Sequence, residues 1–484
     1  MGPRHGSAPE VVSIDARSPP RRYWDEVVSL ARHPITARAW LLSFLLLPIF
    51  PDVARAAPVM QTYWYASTIT SGPTGPIALR AELNYDNARS NAPIAVVMHG
   101  YSPTNGNLDS VRPHAQRLRD QGFFAISVAM RGRDGSAGLR DSGGLEIHDV
   151  YDAVEAVKNE FPTLVDPTNV HITGYSGGGG NVMSAITKFP DYFRLGSSFF
   201  GMSDYGYDPV EGWYNNGAGG RTSILDQDVG NANLGLPAVL DRYLARASNL
   251  AASNSRAVEV HLFVNDNETI CPPVNHLSFA TYGGAHVTHH IGLSASPQYE
   301  DFNGNGVEDF GERQLWPHGF PSASEQEAAE RWYRDRLVAG EIPEPELPLT
   351  GTLVVPGFLV TRAFEVWPGD GQEAAGVVAY ELSDMAARFE LLVISSDTSV
   401  PIDLVVESAF LEPAGSSVVV YRNGLPIDTF TAGDRRVLRD LAHADLIELA
   451  VTATPVPTSG PIALVLVLLA AHALAYRARA PGRR

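Results

Sequence analysis

Lysine is almost missing from this 484-residue chain: of 36 basic residues only Lys158 and Lys188 are lysine, and the rest are arginine. Cysteine is scarcer still. Cys271 stands alone, which excludes an internal disulfide framework and any multi-cysteine metal site. Positive charge is short overall, because 54 acidic residues outnumber the basic ones and leave a net charge of −18. That is the wrong sign for a surface that must hold a phosphate backbone, so nucleic acid is not an expected partner. Hydrophobic residues, by contrast, make up 44% of the chain and charged ones 19%, which permits a buried core and argues against wholesale disorder. The length allows two or three domains.

Both ends carry apolar runs. Trp40 to Phe50 reads WLLSFLLLPIF, with Arg32 and Arg38 before it and the small-x-small triplet Ala54-Arg55-Ala56 after it. A run this short suits the core of a signal peptide better than a bilayer span, so residues 1–56 are expected to be signal peptide and leader, and the protein exported. At the other end a polar stretch, Thr454 to Ser459, precedes an apolar segment from Ile462 to Tyr476 and a tail bearing Arg477, Arg479, Arg483 and Arg484. Motif, apolar segment and arginine tail together resemble the PEP-CTERM-type sorting signals of Gram-negative bacteria. The Pro-Glu-Pro glutamate, however, is missing from Val456-Pro457-Thr458-Ser459-Gly460. The resemblance implies a sorting protease as partner; a plain membrane anchor, oriented by its arginines, is the alternative. In either case residues 454–484 are expected to attach the protein to a membrane or cell surface, with its body extracellular or in the outer envelope.

Between the ends, short β runs alternate with helical patterns. Pro93 to Met98 (PIAVVM) is apolar without alternation, as a strand buried on both faces must be. Leu108 to Gln121 reads as a helix stopped by Gly122, Phe123 to Met130 as a strand, and 145–160 as a helix with Ile147, Val150, Val154 and Val157 at helical spacing. Strands Val170 to Tyr175, Leu195 to Met202, Val258 to Val264 and His286 to Ile291 follow. Helices are expected from about Asn181 to Phe189, Leu240 to Ala252 and 325–339. This alternation predicts an α/β fold with a mostly parallel sheet covered by helices on both faces. Tyr205 to about Gly235, rich in Gly, Asn and Asp, breaks the rhythm and is expected to be a long loop. The proline-rich stretch 342–348 reads as a linker. Residues 349–453 then read as a small β-sandwich-like domain, with Asn423-Gly424 as a hairpin turn.

The chemistry concentrates in Gly174-Tyr175-Ser176-Gly177-Gly178, a G-x-S-x-G pattern entered from an apolar strand and left into a helix. The glycines permit the tight strand-to-helix turn that lifts a serine hydroxyl clear of the backbone, which makes Ser176 the candidate nucleophile. An oxyanion hole needs two donors. The N–H of Gly177 follows the serine, and the N–H of Tyr101, in the loop His99-Gly100-Tyr101 after an earlier strand, is assigned as the second. His99 is read as orienting that loop rather than as a base.

His99-Gly100-Tyr101, RGRDGS at Arg131–Ser136, VDPTNVHITGYSGGG at Val165–Gly179 and PHGF at Pro317–Phe320 resemble the α/β-hydrolases. The likeness is to the prolyl oligopeptidase catalytic domain and its acyl-esterase relatives, over about residues 60–340. It implies a doubly wound α/β-hydrolase domain at 57–341 and a triad in the order serine, acid, histidine. Laying the family pattern G-x-x-D-x-x-V-P on Asn265 through Pro272 places Glu268 at the acid, with Asp266 as the alternative. His318, just before the last helix, falls where the fold places its base; His286, His289 and His290 are competitors. Cys271 falls on an ordinary apolar position of the pattern and is expected to be buried and inert.

A second pattern runs from Asp301 to Glu312. Asp301, Asn303, Asn305 and Asp309 supply side-chain oxygens, Gly306 the turn, Val307 its carbonyl and Glu312 the closing carboxylate of a twelve-residue calcium loop. A structural Ca2+ six residues ahead of His318 is therefore expected, with no organic cofactor. Together these readings give an exported serine hydrolase that cleaves an ester or a peptide through an acyl-enzyme. A carboxylesterase acting on acetylated or polymeric material is the first rival, and a non-catalytic surface scaffold the second.

Overall fold

The computed structural model describes residues 58–69, 76–101, 108–206, 212–216, 222–295, 301, 306–307, 318 and 323–452, all within one compact unit, Ala54–Arg484. The expected leader and C-terminal sorting segment lie outside the described residues.

The N-terminal half is built from β1 (Pro58–Ala66), β2 (Ala78–Asp86), β3 (Ala92–Met98), α1 (Leu108–Asp120), β4 (Phe124–Val128), α2 (Glu146–Glu160), β5 (Val165–Tyr175), α3 (Gly177–Lys188) and β6 (Leu195–Phe199). It continues through α4 (Trp213–Asn216), α5 (Thr222–Asp228), α6 (Pro237–Leu244), β7 (Glu259–Asn265), α7 (Val274–Gly283), β8 (Val287–Gly292) and α8 (Ala323–Val338). Its eight strands lie in the order β1-β2-β4-β3-β5-β6-β7-β8. The strands from β4 to β8 are parallel, while β2 runs antiparallel to both β1 and β4. This is an α/β-hydrolase sheet.

The apolar run in β3 serves two cores because successive side chains point to opposite faces. Ile94, Val96 and Met98 pack with Ile147, Val150 and Val154 of α2 and with Val182 and Ile186 of α3. Ala95 and Val97 pack on the other face with Val111, Ala115 and Leu118 of α1 and Leu337 of α8.

Three expectations need correction. The helix expected from Asn181 starts four residues earlier, at Gly177, so four consecutive glycines are helical and buried. Their poor intrinsic propensity is overridden because only glycine lets this first turn touch the neighbouring main chain: a Cβ on Gly178 would sit 2.2 Å from the Met98 carbonyl oxygen. The helix expected over Leu240 to Ala252 is α6, entered through Pro237 and ended at Leu244. The stretch from Tyr205 to Gly235 is not structureless among its described residues. It carries α4 and α5, and its Trp213, Tyr214, Leu225 and Val229 pack with Met202, Tyr243 and Cys271. Helix α7 gave no sequence signal, since the side chains it buries are mainly polar: Asn275, His276 and Ser278 beside Phe279.

The C-terminal half is antiparallel throughout. Strands β9 (Thr350–Pro356), β10 (Leu359–Val360), β11 (Phe364–Pro368), β12 (Ala375–Leu382), β13 (Ala386–Val393) and β14 (Ile402–Glu407) come first. Then follow β15 (Ser417–Arg422), β16 (Leu425–Thr431), β17 (Arg435–Leu441) and β18 (Asp445–Thr452). They form a sheet β10-β11-β14-β17 and a sheet β16-β15-β18-β13-β12-β9 around a common core that includes Phe364, Phe389, Leu404, Val418 and Ile447. Asn423 and Gly424, both at positive φ, make the two-residue turn between β15 and β16.

The halves are closely joined. Phe358 and Val360 belong to the core of the N-terminal half. Asn254 acts as a strand edge toward β9, donating to the Val354 carbonyl (2.7 Å) and accepting from its N–H (3.0 Å). Lys188 is buried with its ammonium donating to the carbonyls of Ala245 and Pro356 and lying 4.4 Å from the centre of the Phe358 ring.

Candidate active site

Strand β5 runs into Ser176, which holds φ 57° and ψ −121° before α3 begins. A non-glycine residue in that region stores about 1–3 kcal/mol of strain, and the turn survives because both sides are pinned. The Ser176 N–H donates to the Phe199 carbonyl (3.0 Å) at the end of β6, and the Ser176 carbonyl accepts from Gly180 N–H (3.0 Å). The serine is half-buried rather than enclosed.

The loop after β3 lies against this turn. A Cβ on Gly100 would be 3.7 Å from Ser176 Oγ, and one on Gly177 would be 2.7 Å from Tyr101 N. The amides of Tyr101 and Gly177 are thus neighbours beside the serine. His99 is fully buried; its Nδ1 is 2.8 Å from the Gly100 carbonyl oxygen and its Nε2 3.4 Å from Asp134. Burial lowers its pKa, against the opposing pull of Gly100 and Asp134. The imidazole ties the loop to Asp134 in the Arg131–Ser136 motif, a partnership the sequence did not reveal.

Glu268 lies beyond the end of β7, its side chain almost wholly buried. One carboxylate oxygen accepts from the N–H groups of Ile270 (2.6 Å) and Cys271 (3.2 Å), and the other from His318 N–H (3.0 Å). His318 Nδ1 stands 3.4 Å from Oε1, near enough for an electrostatic contact though outside hydrogen-bonding geometry. Burial alone would raise the Glu268 pKa; the His318 ring and the two amides outweigh it and hold the carboxyl below its ordinary value. The Phe200 ring packs 4.6 Å from the His318 ring. Since Phe199 receives the Ser176 amide, the dipeptide Phe199-Phe200 touches both the serine turn and the imidazole. Nothing in the sequence distinguished Phe200.

Asp266, the alternative acid, is placed elsewhere. It is fully exposed to solvent and its carboxylate accepts from Ser294 N–H (2.9 Å). The competing histidines belong to other contacts: His286 Nε2 lies 3.0 Å from Ser255 Oγ, and His290 lies 3.3 Å from both His261 and Tyr333. His289 is pushed down to about 4 by burial. Cys271 is buried among the aromatic residues of the insertion.

Of the calcium pattern, Asp301, Gly306 and Val307 are described. Gly306 turns at φ 74° and its N–H donates to Asp301 Oδ2 (2.9 Å). Asn303, Asn305, Asp309 and Glu312 lie outside the described residues. Among the described residues no group of three or more His, Cys, Asp or Glu is arranged to hold a metal.

The sequence profile of the prolyl oligopeptidase family matches residues 109–219, from α1 past the serine turn. An uncharacterised protein of Rickettsia prowazekii (strain Madrid E) is 32% identical over 124 residues, 25% of this chain and 49% of that relative. The chain thus spans about half the length of the curated relative it matches. Among solved structures, a puromycin hydrolase is similar at 18% identity and a TM-score of 0.43, over 59% of this chain and 39% of that one. The acylaminoacyl peptidase of Pyrococcus horikoshii is similar at 16% identity and a TM-score of 0.43, over 60% and 42%. Residues 109–219 thus match the prolyl oligopeptidase family, and they lie within the eight-stranded α/β sheet described above.

Proposed function

We propose that this chain is an exported serine hydrolase that cleaves a peptide bond by way of an acyl-enzyme. His318 takes the proton of Ser176 as the hydroxyl attacks the carbonyl carbon, Glu268 orients the imidazole and stabilises its charged form, and the N–H groups of Tyr101 and Gly177 receive the oxyanion. The imidazolium then protonates the leaving amine, and water, activated by the same histidine, releases the acyl group. The observation that carries this reading is Ser176 in its strained strand-to-helix turn, with a buried, amide-clamped carboxylate against the imidazole of His318.

The family segment favours peptides over esters. Ester cleavage by the same residues is the second reading, because both chemistries pass through the same tetrahedral intermediate. Export and surface attachment through residues 454–484 belong to the proposal. So does a calcium ion held by Asp301, Asn303, Asn305, Val307, Asp309 and Glu312; the Asp301–Gly306 turn supports the loop.

The test is turnover of a matched p-nitrophenyl ester and peptide p-nitroanilide by the full chain and by Ser176→Ala, with calcium and with chelator. Amide cleavage lost in the variant supports the peptidase. Ester cleavage alone moves the assignment to an esterase, and no serine-dependent turnover of either brings forward the scaffold. Chelation that changes neither rate nor melting temperature removes the calcium proposal.

A further inference from the structure

Tyr101 faces two ways. Its amide lies beside that of Gly177, while its ring covers the first turn of α3, where a Cβ on Gly177 would come within 2.4 Å of the ring carbon Cγ. The phenol oxygen is held by other side chains. It ends in a buried polar hub, 2.7 Å from Glu146 Oε1, 2.6 Å from Asn181 Oδ1 and 2.9 Å from the hydroxyl of Tyr205. Burial raises the phenol pKa well above its ordinary value, so the group stays a neutral hydrogen-bonding anchor.

Glu146 is the fixed point of this hub. It is fully buried at the start of α2, and the same Oε1 accepts from Gly143 N–H (2.9 Å) and from Asn181 Nδ2 (3.0 Å). Asn181 lies on α3, the helix whose first amide belongs to Gly177, and Tyr205 opens the insertion after β6. One carboxyl group therefore links the loop that carries Tyr101, the helix that carries Gly177 and the turn before α2. A side chain locked at its far end leaves its own backbone little freedom to rotate. An oxyanion donor contributes fully only when its N–H points at the oxygen that develops in the transition state.

We propose that Glu146 is a positioning residue for acyl transfer: through the phenol of Tyr101 it sets the direction of the Tyr101 N–H toward the oxyanion and keeps it in register with Gly177. This rests on the serine-hydrolase reading. The aromatic residue at position 101 is then needed for its hydroxyl as the anchor.

The test uses the full chain, a p-nitrophenyl ester as substrate and phenylboronic acid as a tetrahedral-adduct mimic, with fluorophosphonate labelling to report on the serine. Tyr101→Phe keeps the ring on Gly177 and removes only the anchor. It is expected to lower kcat about ten- to a hundred-fold with KM within about two-fold, and to weaken phenylboronic acid by a similar factor. Glu146→Gln, which keeps the shape and one acceptor oxygen, is expected to lose less in the same pattern. The proposal is overturned if both variants retain wild-type kcat and boronate affinity. It is equally overturned if kcat falls only alongside the melting temperature while boronate affinity holds. A wild-type protein that neither turns over ester nor labels at Ser176 removes the serine-hydrolase reading itself, and this inference with it, which separates the two failures.

Discussion

Adding a single methyl group at Gly178 opposes two effects whose sizes the structure allows to be compared. Replacing a helical glycine by alanine ordinarily stabilises by about 1 kcal/mol, and by less in a first turn where the helix is only beginning. Against that, the Cβ of Gly178→Ala would lie 2.2 Å from the Met98 carbonyl oxygen and 2.6 Å from that of His99. Both are main-chain atoms at the end of β3, so no side chain can swing aside. The overlap of about 1 Å must be relieved by lifting α3 off the sheet or by moving the loop that carries Tyr101; overpacking of this kind costs about 1–3 kcal/mol, here toward the upper end. A net loss of about 2 kcal/mol is expected, a fall of about 2–4 °C in melting temperature. Activity should suffer more than stability, because a displacement of about 1 Å between the amides of Tyr101 and Gly177 is worth roughly a hundred-fold in kcat. Thermal melts and ester turnover on the purified variant measure both. A Gly178→Ala protein as stable and as active as wild type would refute the close approach of helix and strand end on which the site geometry depends.

Glu268→Gln should lower kcat by about two to four orders of magnitude, while Asp266→Asn, altering a solvent-exposed carboxylate bonded to Ser294, should leave kcat within about two-fold; the reverse result would return the acid to Asp266. Burial raises Glu146 from an ordinary 4.5 to about 7, although Arg133 pulls the other way. Between those values the unfolded chain has released a proton that the fold retains. The favourable contribution is therefore complete below about 4.5 and is lost as pH rises through about 7, by at most about 1.4 kcal/mol per pH unit. Urea titrations of wild type and Glu146→Gln across that window should differ in slope, and identical slopes would contradict the assignment. Deleting residues 349–484 removes Phe358 and Val360 from the core of the N-terminal half and strips Lys188 of the Pro356 carbonyl, so the remaining half should melt several degrees lower or fail to stay soluble. An unchanged melting temperature would show the β half to be an independent attachment.

The succession of buried strands and helices was readable along the chain, because hydrophobic spacing is local: PIAVVM in β3 and the recurrence of Ile147, Val150 and Val154 in α2 need no partner to be read. The sequence also located Ser176, since a strand-to-helix turn of this sharpness demands glycines in a recognisable pattern. That Glu268 would lie against His318 was legible only through resemblance to a family. Fifty positions of chain separate them, and nothing local says that one carboxylate will be closed over by the amides of Ile270 and Cys271 while Asp266, two residues earlier, is left in solvent. Helix α7 and the glycine-started α3 escaped a local reading for the same reason. Their stability comes from what they pack against, and propensity points the other way. Tertiary structure alone decided that Tyr101, Glu146, Asn181 and Tyr205 meet at one point. Four residues from four segments of the chain converge only once the sheet has ordered its strands, because a buried polar group finds its partners in space and leaves no periodic trace along the sequence.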